Sequence, residues 1–304
     1  MELEQYGFQK MWQYLSAGEA DPQRPLSKVQ EVRLIGHEDG DITSLGWLYG
    51  FLDLPNLRRI YCHRVGPTLD DDIPPNLKVS WPSVEELHFD ASCIDGSNLE
   101  RIVRGTRTLK SFHYQIGWYD KHSDERDSGS WFSLPNICIH SLRKSALSTL
   151  EHFSLTDPYG MAEEDERGVG DTMDRITLHD FDVLKYVAVE CSLFVDRGTD
   201  SPDPDAPLDE GFHNENGPGK GVSRLIDVLP RSLETLVMYA PRDANHLAAL
   251  FRGLLQLKEE RLPNLRSITI KRIHVIEQWI IMKMGGDCQQ LGVDLRYLGR
   301  AILT

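Results

Sequence analysis

The segment Leu54-Pro55-Asn56-Leu57-Arg58-Arg59-Ile60-Tyr61-Cys62-His63 returns in a second form far along the chain, as Leu262-Pro263-Asn264-Leu265-Arg266-Ser267-Ile268-Thr269-Ile270-Lys271. In both, an apolar anchor is followed by another three residues later and a third two beyond that. The last two anchors are two residues apart, which puts both on one face of a β-strand, while the first turns the chain into it. The same φxxφxφ spacing occurs at Val29-Val32-Leu34, Val84-Leu87-Phe89, Leu109-Phe112-Tyr114, Leu150-Phe153-Leu155, Leu184-Val187-Val189 and Leu233-Leu236-Met238. Successive first anchors are 28, 27, 25, 41, 34, 49 and 32 residues apart. The first three steps match a repeat of about 20–29 residues. The longer steps hold loop-like stretches, Asp120–Glu125 and Gly198–Gly221, and insertions leave a stack of repeats intact because each repeat touches only its neighbours.

One such strand cannot bury its apolar face alone, whereas several stacked in parallel make a continuous core. The spacing therefore predicts parallel strands joined by return segments, some of them helical. Asp243–Leu257 follows helical spacing through Ala244, Leu247, Ala248, Phe251, Leu254 and Leu255, with Asp243 as N-cap. Thr43–Leu52 and Asp95–Val103 read the same way, and Gly66–Ser80, with its prolines and glycines, reads as irregular. The ends of such a stack need covering. Phe8, Met11, Trp12 and Leu15 predict a helical cap over residues 1–25; His274–Met284 reads as a helix, and Leu291, Val293, Leu295 and Tyr297 alternate like a last strand.

Composition narrows the class. The 304 residues are 40% hydrophobic and 26% charged, as in a soluble globular chain, with no apolar run near the length of a membrane span. The net charge of −14 argues against nucleic acid as the main partner. Most of it lies between Asp157 and Glu215, where 17 acidic and 4 basic residues give −13. Residues near 196–221, poor in large apolar side chains, read as a mobile acidic insertion within a repeat domain over 26–304. The five cysteines have no C-x2-4-C spacing, and the start has no secretory pattern. Both point to reduced thiols and a cytoplasmic or nuclear location.

On the Leu-Pro-Asn-Leu-Arg lead-ins at 54–58 and 262–266, the helix before the second, and the ending Leu291-Gly292-Val293-Asp294-Leu295, the chain resembles the leucine-rich-repeat proteins of filamentous fungi, many of which are F-box proteins. The resemblance covers roughly residues 26 to 298. It implies an α/β leucine-rich-repeat solenoid, an irregular horseshoe of eight to nine repeats. It also implies non-enzymatic protein binding, with substrate recognition for a cullin-type ubiquitin ligase and ligase components among the partners. Two departures stand beside it. Where such repeats place Asn three residues after the last anchor, this chain has His37, Val65, Ser92, Gly117, Pro158, Ser192, Pro241 and Ile273. The 28 residues before Val29 carry no recognisable F-box, so the chain is either truncated there or never had one.

Signatures of catalysis are absent from the sequence: there is no G-x-S-x-G elbow and no H-E-x-x-H, and Gly217-Pro218-Gly219-Lys220 lacks the first glycine and the Ser/Thr of a phosphate-binding loop. Asp70-Asp71-Asp72 reads as solvated. The face away from the anchors is richer. Residues two, four and six after each first anchor fall on it, the concave face of a solenoid. They gather Arg59, Tyr61, His63, Glu86, His88, Asp90, His113, Gln115 and His152, with His88 and His113 on adjacent rungs. Three readings compete: a metal site, a solvated face and a protein-contact patch. The expectation is a protein client on this face, with no cofactor, metal, nucleic acid or membrane. The alternatives are an enzyme or metal-binding protein using the histidines, and a repeat fragment with no fixed partner.

Overall fold

The computed structural model describes residues 28–36, 43–51, 54–66, 79–117, 134–156, 176–194, 224–239, 244–271 and 278–298. The N-terminal cap over 1–25, the acidic insertion near 196–221, Asp70–Asp72 and the Asp243 cap lie outside the described residues.

Every φxxφxφ instance forms a strand. In chain order these are β1 (Glu31–Ile35), β2 (Thr43–Ser44), β3 (Arg59–His63), β4 (Val65–Gly66), β5 (Glu86–Ser92), β6 (Ser111–Ile116), β7 (His152–Thr156), β8 (Tyr186–Glu190), β9 (Thr235–Tyr239), β10 (Ser267–Lys271) and β11 (Asp294–Leu298). The two-residue strands β2 and β4, which the pattern does not predict, pair with each other. The other nine make one parallel sheet in which the strands follow one another in chain order. The protein is thus α/β.

Register aligns like with like. Val32, Ile60, Leu87, Phe112, Phe153, Val187, Leu236, Ile268 and Leu295 stand in one row across the sheet. With the row holding Cys62, Phe89 and Tyr114 and the first anchors, they form a single apolar cluster, buried except at Val29, Leu295 and Tyr297, which pack against it partly exposed. Burying a Leu, Ile or Phe side chain contributes roughly 1.5–3 kcal/mol, so these rows are the main source of stability.

A second regularity lies just before each strand, at the residue after the first anchor. Its carbonyl accepts two N–H groups from the next repeat. Gln30 accepts from Arg58 (2.8 Å) and Arg59 (3.0 Å), Arg58 from Glu85 (2.8 Å) and Glu86 (3.1 Å), and Glu85 from Lys110 (2.7 Å) and Ser111 (3.0 Å). The series continues through Lys110, Glu151, Lys185 and Glu234 as acceptors, and ends with Arg266 accepting from Asp294 (2.8 Å). The side chains of this same column alternate in sign: Arg58, Glu85, Lys110, Glu151, Lys185, Glu234, Arg266. Glu85 pairs with both Arg58 (2.5 Å) and Lys110 (3.1 Å), Glu151 with Lys185 (2.7 Å), and Glu234 with Arg266 (3.9 Å). The hydrogen bond from Lys110 holds the Glu85 carboxyl below its usual range, and the one from Lys185 does the same for Glu151.

Return segments cover the apolar face. Helix α1 (Gly96–Gly105) is capped by Asp95, whose carboxylate accepts from the backbone N–H groups of Ser97 and Asn98, both at 3.0 Å. It buries Leu99, Ile102 and Val103 and packs on α2 (Leu134–Ala146), an unpredicted helix that buries Cys138, Ile139, Leu142 and Ala146. A further short helix, α3 (Leu225–Val228), was also not predicted.

Three expected helices are corrected. Over Thr43–Leu52 the structure has β2 and then a 3-10 helix, Leu45–Phe51. Leu45 and Leu48 are fully buried, with Phe51 packed against the core, and that spacing of three suits the tighter helix. The long helix expected to Leu257 is two, α4 (Ala244–Leu250) and α5 (Leu254–Arg261). A turn over 251–253 parts them, and Gly253, with a φ of +79°, is the N-cap of the second. The last helix, α6, runs Gln278–Gln290, beyond the expected Met284, because Met284 and Cys288 are buried one turn apart.

The missing Asn column has one local substitute. Ser92 is fully buried; its hydroxyl accepts from the Val65 N–H (3.2 Å) and donates to the Asp90 carbonyl (2.9 Å), while the Tyr114 hydroxyl donates to the Ser92 carbonyl (3.1 Å) and accepts from the Ile94 N–H (3.0 Å).

Two outcomes test this frame. Ser92→Ala leaves the buried Val65 N–H without its side-chain acceptor and lowers stability by about 1–3 kcal/mol in urea unfolding. Lys110→Glu places three acidic residues in succession along the ladder and costs about 1 kcal/mol at low salt, a difference that shrinks in high salt as the charges are screened.

Candidate binding face

The sheet face turned away from the core carries three rows. The first is Glu31, Arg59, Glu86, Ser111, His152, Tyr186, Thr235, Ser267 and Asp294; the second is Arg33, Tyr61, His88, His113, Ser154, Ala188, Val237, Thr269 and Arg296. The third runs Ile35, His63 and Asp90 at one end and Glu190, Tyr239, Lys271 and Leu298 at the other. Along each strand these positions alternate with the core anchors, which is why period-two sequence places them together.

On β1 to β6 flat groups stack along the second row. The Arg33 guanidinium lies 5.1 Å from the Tyr61 ring centre. Tyr61 is 5.4 Å from His88 at 37°, and His88 is 4.0 Å from His113 at 21°. Polar contacts fix the flanks. The Tyr61 hydroxyl donates to Glu86 (3.1 Å), His63 Nδ1 is 3.0 Å from an Asp90 carboxylate oxygen, and Glu31 joins Arg33 (2.5 Å) and Arg59 (2.9 Å). The Arg33 guanidinium holds the Glu31 carboxyl below its usual range. Burial, with the Glu86 hydrogen bond, pushes the Tyr61 hydroxyl up. Burial pushes His88 down and His113 further, to about 4, helped there by the neighbouring His88. Both imidazoles are therefore uncharged at neutral pH.

Of the nine predicted residues, Arg59, Tyr61, His63, Glu86, His88, Asp90 and His113 come together over β3, β5 and β6. Gln115 does not join Asp90, because β5 bulges between Phe89 and Ser92, where Ala91 has φ +45°. His152 stands apart and faces Tyr186 at 6.0 Å. The face is not open throughout, as the column reading implies: Ser154, Thr156, Ala188, Glu190 and Val237 are all buried. Arg33, Glu31 and Tyr186 belong to the arrangement and were legible in the same columns.

Among the described residues no group of three His, Cys, Asp or Glu could hold a metal, and stacked rings do not converge on one point. All five cysteines are buried and none is in a disulfide, and burial raises the thiols of Cys62, Cys138, Cys191 and Cys288. Elsewhere, a cavity of about 520 Å³ at the strand starts is lined by Lys110, Glu151, Lys185 and Glu234 of the alternating ladder together with Thr149 and Asp182. No described helix is long and apolar enough to cross a membrane. No protein-family model matches the chain, and no curated protein does.

The stacked pair makes stability depend on pH. The unfolded chain binds the His113 proton at about 6.5 and the folded chain at about 4. The stabilisation is therefore complete above about pH 6.5 and is lost as pH falls toward 4, on the order of 2–3 kcal/mol. In urea titrations across that window, His113→Gln gives a shallower decline than the native chain.

Proposed function

We propose that the chain is an irregular leucine-rich-repeat solenoid of nine units that acts as a non-enzymatic protein-binding scaffold, holding a protein client on the sheet face over β1 to β6. The reading is supported chiefly by one observation: strands in chain order and in register align Arg33, Tyr61, His88 and His113 into a preformed stack on the sheet face opposite the described return helices. A rigid surface with aromatic and arginine side chains already ordered loses little side-chain entropy on binding, and such residues dominate protein contacts. Stacked repeats commonly bind through this face.

The resemblance to fungal F-box repeat proteins adds a role for the client: delivery to a cullin-type ubiquitin ligase, with the face as substrate receptor. A cytoplasmic or nuclear setting goes with that role. The reading that makes the histidines catalytic or metal-binding draws no support from the stack, where the rings face one another.

Affinity purification of the full chain from its native host, followed by mass spectrometry, tests both levels. The native chain recovers a client that the double variant Tyr61→Ala with His113→Ala loses, while the double variant still melts as a folded chain. Clients recovered equally by both remove the face from the proposal. Clients recovered without the ligase linker protein leave the scaffold and remove the ligase role.

A further inference from the structure

The contact face has an uneven charge pattern. At the β1 end, Glu31 is shared by Arg33 and Arg59, so each cation there has a carboxylate. On β5 the pattern differs. Glu86 and Asp90 stand on either side of His88 along the strand, and no Lys or Arg of the described residues pairs with either. Their partners are the Tyr61 hydroxyl and the His63 ring, and Asp90 is 38% exposed. Between the two carboxylates lie the outer rims of His88 and His113, which as uncharged imidazoles each keep one acceptor nitrogen. Ser111 and Gln115 flank His113 on β6 and Ser154 follows it on β7, while the cation opposite Glu86 on β3, Arg59, is bonded to Glu31.

That set of groups has the complement of a guanidinium: two carboxylates, neutral ring acceptors and flat surface. The face already contains an intramolecular version of the same contact. Arg33 lies on the free side of Tyr61 and bonds to Glu31. Resting on the scaffold reading above, we propose that the face over β3 to β6 receives a basic segment of the partner protein, with arginines meeting the Glu86 and Asp90 carboxylates and lying over the His88–His113 rims. The proposal names the client's chemistry: an exposed arginine-bearing stretch, with acidic or purely apolar segments disfavoured. A lysine fits less well, because a compact ammonium lacks the flat two-pronged fork that suits a carboxylate and a ring surface.

The test uses the full chain and a fluorescent hexa-arginine peptide, with hexa-glutamate as the opposite-charge probe, followed by anisotropy at neutral pH and low salt. Because the chain also carries the acidic run Glu163–Glu166, two neutralised variants are compared: Glu86→Gln with Asp90→Asn, and Glu163→Gln with Glu164→Gln. The expected result is binding of hexa-arginine that weakens about tenfold or more in the first variant and about twofold or less in the second. Proton NMR supplies an independent readout: the His88 and His113 ring signals, assigned through His88→Gln and His113→Gln, move on adding hexa-arginine to the native chain. Loss confined to the second variant, no binding, or unmoved ring signals overturns the proposal. A client captured through Tyr61 and His113 that lacks a basic segment keeps the scaffold reading and overturns this inference alone.

Discussion

The interaction on which the rest of the structure depends is the two-pronged backbone contact before each strand. One carbonyl accepts from two successive N–H groups of the following repeat, and this happens from Gln30 through Glu234, with Arg266 accepting one at the end of the series. It fixes where each strand begins relative to the last. A slip of one residue would turn every Ile60 or Leu87 to the outer face and every Tyr61 or His88 inward. The apolar rows supply most of the driving force but are indifferent to which repeat pairs with which, since each offers the same pattern. The carbonyl contact sets the register locally, and the alternating charges of Arg58, Glu85, Lys110, Glu151, Lys185, Glu234 and Arg266 reinforce it. A repeat paired with its next-but-one neighbour would meet a like charge.

This order explains why the outer face is ordered without a ligand. Rings two residues apart along each strand have no reason to meet; rings one strand apart at the same register position must. The 4.0 Å stack of His88 on His113 follows from two histidines falling in the same column of adjacent repeats, about 4.8 Å apart. Its electrostatic consequence is also local. Packed ring against ring, neither imidazole is well solvated, so both are displaced toward the neutral form, and His113 is displaced further by the neighbouring His88.

The strands were legible in the sequence because period-two burial leaves an unambiguous mark over six residues, and eight recurrences distinguish it from chance. The outer rows were legible for the same reason, once register was assumed constant. What escaped was set by tertiary context. The bulge at Ala91, which removes Gln115 from Asp90, adds one residue to β5 without altering its apolar pattern. Helix α2 hides its buried Cys138, Leu142 and Ala146 behind a Pro-containing start and the polar Ser141 and Ser145. Helix α6 continues through Gly285 and Gly286, residues that ordinarily argue for an end; added Cβ atoms there would meet nothing within 4 Å, so packing does not require glycine at either position. The charge ladder was in plain view one column from the anchors, yet alternation of sign between distant segments becomes visible only when the repeats are laid side by side.

The two outermost strands of the sheet carry the same device in the same rows. On β1, Glu31 pairs with Arg33; on β11, Asp294 pairs with Arg296 at 2.6 Å. The acidic residue occupies the first outer row and the arginine the second at both edges. Register that continued from β11 of one molecule to β1 of another would set Asp294 opposite Glu31 and Arg296 opposite Arg33, like against like in both rows. Charged side chains on edge strands are a general defence against sheet extension. Here the arrangement is more specific, because at both edges the arginine pairs with the acidic residue of its own strand, Glu31 reaching Arg59 on β3 as well. The alternation that holds repeats together inside the molecule is thus reversed at its ends: neighbouring repeats meet opposite signs in the ladder, and neighbouring molecules would meet equal ones on the outer face.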